Sequence, residues 1–219
     1  MFAGHFALTS VLQKYYPNTS PYTLALGVGF LDVCFGAMTY LGYEGFSPNP
    51  QAGINGFDIH CNYTHSLIGS VLLSLIYGAA TGSYTPGFLA SFSHFIEDMM
   101  VHNQDLPLDP ISKIMIGGTN MWGAFPTFAF YFELAFCLAC AAFSSKDPVT
   151  LTANGLILLL HINSKSSTAQ LFKEIFQLSE PLQRRYSAII IISSFVIPGL
   201  ILGFILNIRR NQIKDRKSA

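Results

Sequence analysis

The sequence predicts an all-α, polytopic integral membrane bundle with about five to seven hydrophobic helices. Three observations carry that expectation. Hydrophobic residues make up 51% of the 219 positions and charged residues only 11%, whereas soluble domains carry roughly 25% charged residues. The apolar residues fall into helix-length runs separated by Pro, Gly and Asn. Ionisable side chains also sit inside several of those runs, where lipid makes them costly and where they usually mark function.

The elements follow in order. Residues 4–15 read as a short helix, closed by Y-Y-P-N-T-S-P, where two prolines and small polar residues force a turn. Residues 21–43 come next, with Ser20 as cap and Pro21 at the first helical position. A polar loop rich in Gly, Pro and Asn runs from 44 to about 61. Residues 64–81 and 86–102 form a helical hairpin around T-G-S-Y-T-P, and the loop N-Q-D-L-P-L-D-P follows. Beyond it lie a helix near 121–145, a shorter apolar stretch at 148–161, and an amphipathic segment at 167–178 suited to a membrane interface. A final span over about 187–208 ends in the basic tail R-R-N-Q-I-K-D-R-K. The chain thus reads as a front part, 1–145, and a back part, 146–219, forming one compact unit.

Charge separates the same two parts. Residues 1–145 hold eight acids and two bases, and residues 146–219 hold four acids and ten bases, so the net charge of zero hides an asymmetry. The front suits cations, and the back suits anionic lipid headgroups or the cytosol. Too few basic residues in too short a tail exclude a nucleic-acid partner, while membrane lipid is the expected one. The oligomeric state is not readable. Cys137 and Cys140 lie within an apolar helix and read as packing residues.

Five of six histidines fall within the first 105 residues. In S-H-F-I-E-D-M-M-V-H, His94, Asp98 and His102 stand four apart. On a helix such positions share one face, drifting only about 40° per step, while Glu97 points about 100° away and is the poorer ligand. Mirroring residues about the two hairpin turns pairs His5 with Asp32 and His65 with His102. His5, Asp32, His65, His94, Asp98 and His102 therefore fit one funnel and are the candidate metal ligands, since imidazole and carboxylate together suit a hard or borderline cation. Asp58 and Asp105, on loops at its mouth, are candidates for a general base or a substrate-orienting group. Glu133 lacks nearby histidines and reads as a structural hydrogen-bonding group, and His161 reads as interfacial.

G-H-F-A-L near the start, L-D in the next helix, Y-T-H-S-L, S-H-F-I-E-D and H-N-Q-D-L-P-L resemble the membrane-bound, metal-dependent hydrolases of bacteria. That family includes the inner-membrane protein described as binding the LexA repressor, and many of its members continue as H-R-P-D-L-P-L. The likeness covers roughly residues 1–145. The order of residues is more distantly similar to the ligands of zinc-dependent phospholipase C. The resemblance implies one shell of Asp32, His65, His94 and Asp98, with His5 and His102 serving a second ion. The later H-x-x-x-E of the phospholipases has no counterpart, because His161 is followed by Lys165. One or two ions, Zn²⁺ or Mn²⁺, are therefore expected rather than three.

Together these readings lead to a membrane-embedded, metal-dependent hydrolase of a phosphoester or another lipid-derived substrate. Two alternatives stay open on sequence: an ion or proton transporter or channel component, and a non-catalytic scaffold stabilised by metal.

Overall fold

The computed structural model describes residues 1–49, 56–112 and 114–218, without the side chains of 165–169 and 213–218. It is mostly helical. Helix α1 spans Ala3–Tyr15, α2 Pro21–Gly27 and α3 Phe30–Leu41; strands β1 (Gly45–Pro48) and β2 (Phe57–His60) follow. Then come α4 (Leu67–Ala80), α5 (Tyr84–Met99), β3 (Leu106–Pro107), β4 (Met115–Gly117), α6 (Met121–Ala124), α7 (Pro126–Phe143), α8 (Pro148–Ile175) and α9 (Glu180–Ser218).

The expected five to seven spans reduce to fewer. Among the described residues, α7 and the Glu180–Gln212 part of α9 are long and apolar enough to cross a membrane, and α2 with α3, bent by 53°, make a third if read as one broken span. Helices α1, α4 and α5 have 13, 14 and 16 residues. At about 1.5 Å per residue they reach roughly 20–24 Å, short of a core of about 30 Å. The predicted span at 21–43 breaks at Val28–Gly29. The stretches expected separately at 148–161 and 167–178 are one continuous helix, because the polar run between them holds no Pro or Gly to stop it. Its buried residues Ala153, Ile157 and His161 recur every fourth position and fix one inward face.

The expected loop after α3 also holds structure. β1 and β2 pair antiparallel, with Phe46 opposite Ile59 and Pro48 opposite Phe57. This hairpin sets Phe46 and Phe57 on Phe172 of α8, with ring centroids 4.6 and 4.7 Å apart. The tip, 50–55, lies outside the described residues.

Short α1 occupies the middle, packed by α2, α5, α7, α8 and α9, with His5, Phe6 and Thr9 fully buried. Its first amides have no side-chain cap of their own. Glu133 of α7 supplies one: its Oε1 accepts from the amides of Phe2 (2.7 Å) and Gly4 (2.9 Å). α4 and α5 form the predicted hairpin and meet through small residues. Ser74 Oγ donates to Ser91 Oγ at 2.8 Å, and a Cβ on Gly87 would lie 3.0 Å from Gly78 Cα. Such residues let two helix backbones approach closely. Gly36 does the same for α3 and α9, where a Cβ would meet Ile192 Cγ1 at 2.6 Å.

Asp147 ties the start of α8 to the end of α9. Its Oδ1 accepts from Thr150 N at 3.0 Å as the helix cap, and Arg209 Nε lies 2.6 Å from Oδ2. Burial pushes this carboxyl up, but the Thr150 hydrogen bonds and the Arg209 guanidinium outweigh it and hold it below the ordinary carboxylate range. Its stabilisation is therefore present above the unfolded value of about 3.9 and is lost as pH falls through the depressed folded value. Asp147→Ala should cost about 1 kcal/mol in urea unfolding at pH 7, and the deficit should shrink as the pH is lowered below about 4.

Candidate metal centre

Of four imidazoles in the core, three share one design. His94 Nδ1 donates to the Val28 carbonyl at 2.7 Å, a carbonyl that lies at the break between α2 and α3. Thr64 Oγ1 donates to Glu44 Oε2 at 2.8 Å, so toward His65 Nδ1, 2.9 Å away, it acts as acceptor. His102 Nδ1 bonds Asp105 Oδ1 at 3.0 Å. Each of these three rings directs Nδ1 to an outer acceptor, which turns Nε2 toward the cluster. His5 Nδ1 lies 3.0 Å from Glu97 Oε2 without forming a hydrogen bond.

All four Nε2 atoms point at carboxylates. His94 Nε2 lies 3.2 Å from both Asp32 Oδ2 and Asp98 Oδ2. His65 Nε2 lies 3.6 Å from Asp32 Oδ1 and from Asp98 Oδ2, and 3.3 Å from His94 Nε2. His102 Nε2 is 3.6 Å from Asp98 Oδ2. His5 Nε2 approaches the other oxygen, Asp98 Oδ1, at 3.2 Å, and its ring stacks on that of His94 with centroids 3.7 Å apart. The Met1 nitrogen also contacts Oδ1, at 2.5 Å. Ligands held tetrahedrally at 2.0–2.2 Å from an ion lie about 3.3–3.6 Å from one another, so the donor set and spacing fit a divalent metal.

Among the described residues, two groups could hold an ion: His5, His94 and Asp98; and Asp32, His65 and His94. They contain five of the six residues singled out in the sequence, and His102 joins them through Asp98 Oδ2, on the side away from the oxygen that His5 approaches. Asp105 stands beside them on His102. Asp58 does not: both its oxygens accept from Asn49 Nδ2, at 3.0 Å each. Glu97, the poorer ligand on sequence, belongs to neither group: its carboxylate is buried and lies 3.0 Å from His5 Nδ1, because α1 packs against α5. Its position next to Asp98 on a helix otherwise free of charge was the available signal. Glu133 is not far from histidine either, since His161 Nδ1 lies 3.8 Å from its Oε2. His161 is buried, not interfacial. Cys137 and Cys140 are buried, free thiols on α7.

The cluster forms one wall of a cavity of about 370 Å³, to which Asp32, His65, Asp98 and His102 contribute. Phe46, Phe57, Phe172 and Phe195 supply much of the apolar wall. Asp32, at 18% side-chain exposure, is the most accessible of the six ligands, while His5 and His94 are sealed. Glu44 lies outside the membrane-length helices. Burial raises its carboxyl above the ordinary range, more than its hydrogen bonds from Thr64 and Tyr63 lower it. Comparison of the chain with protein-family models, curated proteins and solved structures finds no match.

Thr64→Val removes the hydroxyl between His65 and Glu44 while keeping the side chain's shape. Loss of an outer-shell partner typically weakens metal affinity about 10–100-fold. Chelator competition on purified Thr64→Val should show a loss of that order with the fold retained. Unchanged affinity would show that His65 needs no such support.

Proposed function

We propose that the chain is an integral membrane protein and a divalent-metal-dependent hydrolase of a phosphoester or another lipid-derived substrate. One observation carries the reading. Four Nε2 atoms, three of them on rings hydrogen-bonded through Nδ1, converge on two carboxylates at the wall of a largely aromatic cavity.

Asp32, His65, His94 and the Oδ2 side of Asp98 would hold a first ion. His94 belongs to both groups of possible ligands, but its one cluster-facing nitrogen would serve only one ion. A second ion would have His5 and Asp98 Oδ1 as ligands only if it displaced the Met1 ammonium from that oxygen. Zn²⁺ suits this mixture of imidazole and carboxylate best, and Mn²⁺ also fits. When bound, such an ion supplies Lewis acidity and activates water near neutral pH. Asp105 orients His102 and stands where a proton acceptor beside the cluster is needed. Asp58, occupied by Asn49, takes no part. Phe46, Phe57 and Phe172 exclude water and offer an apolar surface to a lipid chain.

Purified protein should carry zinc by elemental analysis and hydrolyse bis(p-nitrophenyl) phosphate or a short-chain phospholipid in a chelator-sensitive way. Asp98→Ala and His94→Gln should stay folded and lose metal affinity by more than about a hundredfold, beyond the range of an outer-shell loss. Equal metal content in wild type and both variants removes the proposal. Chelator-insensitive ion flux in liposomes, without turnover, points to transport instead.

A further inference from the structure

The same cavity carries a second pair of polar side chains, Glu133 and His161, which the metal cluster does not use. His161 is 1% exposed. Its Nε2 lies 3.1 Å from the Phe130 carbonyl, and only a protonated nitrogen can bond a carbonyl, so Nε2 carries the proton. Nδ1 is left as an acceptor, buried and without a hydrogen-bond partner. The Phe130 ring stacks on the imidazole, with centroids 4.4 Å apart, and fixes its plane.

Glu133 completes the pair. Its Oε1 is taken by the amides of Phe2 and Gly4. Its Oε2 faces His161 Nδ1 at 3.8 Å, too far for a hydrogen bond. Two acceptors therefore confront each other with no donor between them. A buried acceptor without a donor is unfavourable, so the pair takes its donor from outside, as a water or as a group carried on a ligand.

Geometry narrows the donor. One atom placed about 2.8 Å from both acceptors sees them about 85° apart, which requires two hydrogens on that atom. A hydroxyl has one hydrogen and a quaternary ammonium none, while water has two but brings no charge to the carboxylate. A primary ammonium has three, and its charge complements the carboxylate. Phe130, Ile190, Ile191 and Phe195, which line the same cavity, suit an apolar chain attached to it.

We propose that Glu133 and His161 form a binding site for a primary ammonium group carried on an apolar chain. The site stands apart from the hydrolase reading, because neither residue belongs to the cluster. Hexylammonium and hexyltrimethylammonium, titrated into the purified protein with and without chelator, test it directly. Hexylammonium should bind at least about tenfold more tightly, since a charge-assisted hydrogen bond contributes about 1.5–3 kcal/mol, and chelator should not change the preference.

Glu133→Gln keeps an oxygen for the α1 amides and turns an amide donor toward His161 Nδ1, filling the site from within. His161→Phe keeps a ring against Phe130 and removes the acceptor. Either folded variant should erase the preference. Ethanolamine phosphate showing the same dependence on Glu133 and His161 assigns the source to a phosphorylated headgroup. The dependence with hexylammonium alone assigns it to a free long-chain amine. Equal binding of the two hexyl cations, a preference that survives in both folded variants, or no measurable binding of either primary amine overturns the proposal.

Discussion

Six side chains that are all acceptors toward one another share a buried volume, and the rest of the structure is arranged around that electrostatic conflict. A neutral imidazole has one N–H, and here His65, His94 and His102 direct it outward, to Thr64, Val28 and Asp105. Their Nε2 lone pairs then face Asp98 and Asp32 at 3.2–3.6 Å. Like charges about 4 Å apart repel by about 4 kcal/mol even at an effective dielectric of 20. The Met1 ammonium supplies one positive charge at Asp98 Oδ1, and further positive charge can enter as second protons on the rings or as an ion. The outward anchoring favours the ion, because it prepares the lone pairs that an ion needs and gives nothing extra to a ring that is already a double donor.

The fold makes this arrangement possible by breaking rules that ordinary spans keep. A continuous helix through residue 28 would bury the Val28 carbonyl in its own hydrogen-bond ladder; the break turns that carbonyl toward His94. α1 is too short to cross a membrane, yet lies buried in the middle and brings His5 to Asp98. Its capping by Glu133 replaces the water that a helix end usually finds. Small residues between α4 and α5 let His65, at the start of one, reach the carboxylate of Asp98 on the other.

The parts governed by local periodicity were legible in the sequence. Fourfold spacing placed His94, Asp98 and His102 on one face, and mirroring about the T-G-S turn placed His65 beside them. Contacts that depend on a third element were not legible. Glu97 looked misdirected because its partner lies on α1, not on its own helix or hairpin. The Glu44–Thr64–His65 chain depends on how α3 ends and where the β-hairpin begins, which composition alone does not fix. His161 and Glu133 stand on different helices, which meet through tertiary packing with each other and with α1. Span counting failed for a related reason: apolar composition does not set length, and α1 is apolar because the bundle buries it, whereas α4 exposes Ile68, Leu72, Leu75 and Ile76 yet has only 14 residues.

Whether an ion here is structural or catalytic turns on access. Structural sites are closed by protein ligands, whereas catalytic sites keep a position open to solvent or substrate. This cluster is sealed on the His5 and His94 side and open toward the cavity at Asp32, His65 and His102. A scaffold would gain nothing from that opening, since an ion binding only the folded state at a thousand times its Kd already stabilises it by about 4.1 kcal/mol. The aromatic wall facing the opening adds to the asymmetry: it excludes bulk water yet leaves room for a molecule of modest size. An ion wanted only for stability would be better served by closing that wall with one more ligand, and the aromatic residues stand where that ligand would have to come from.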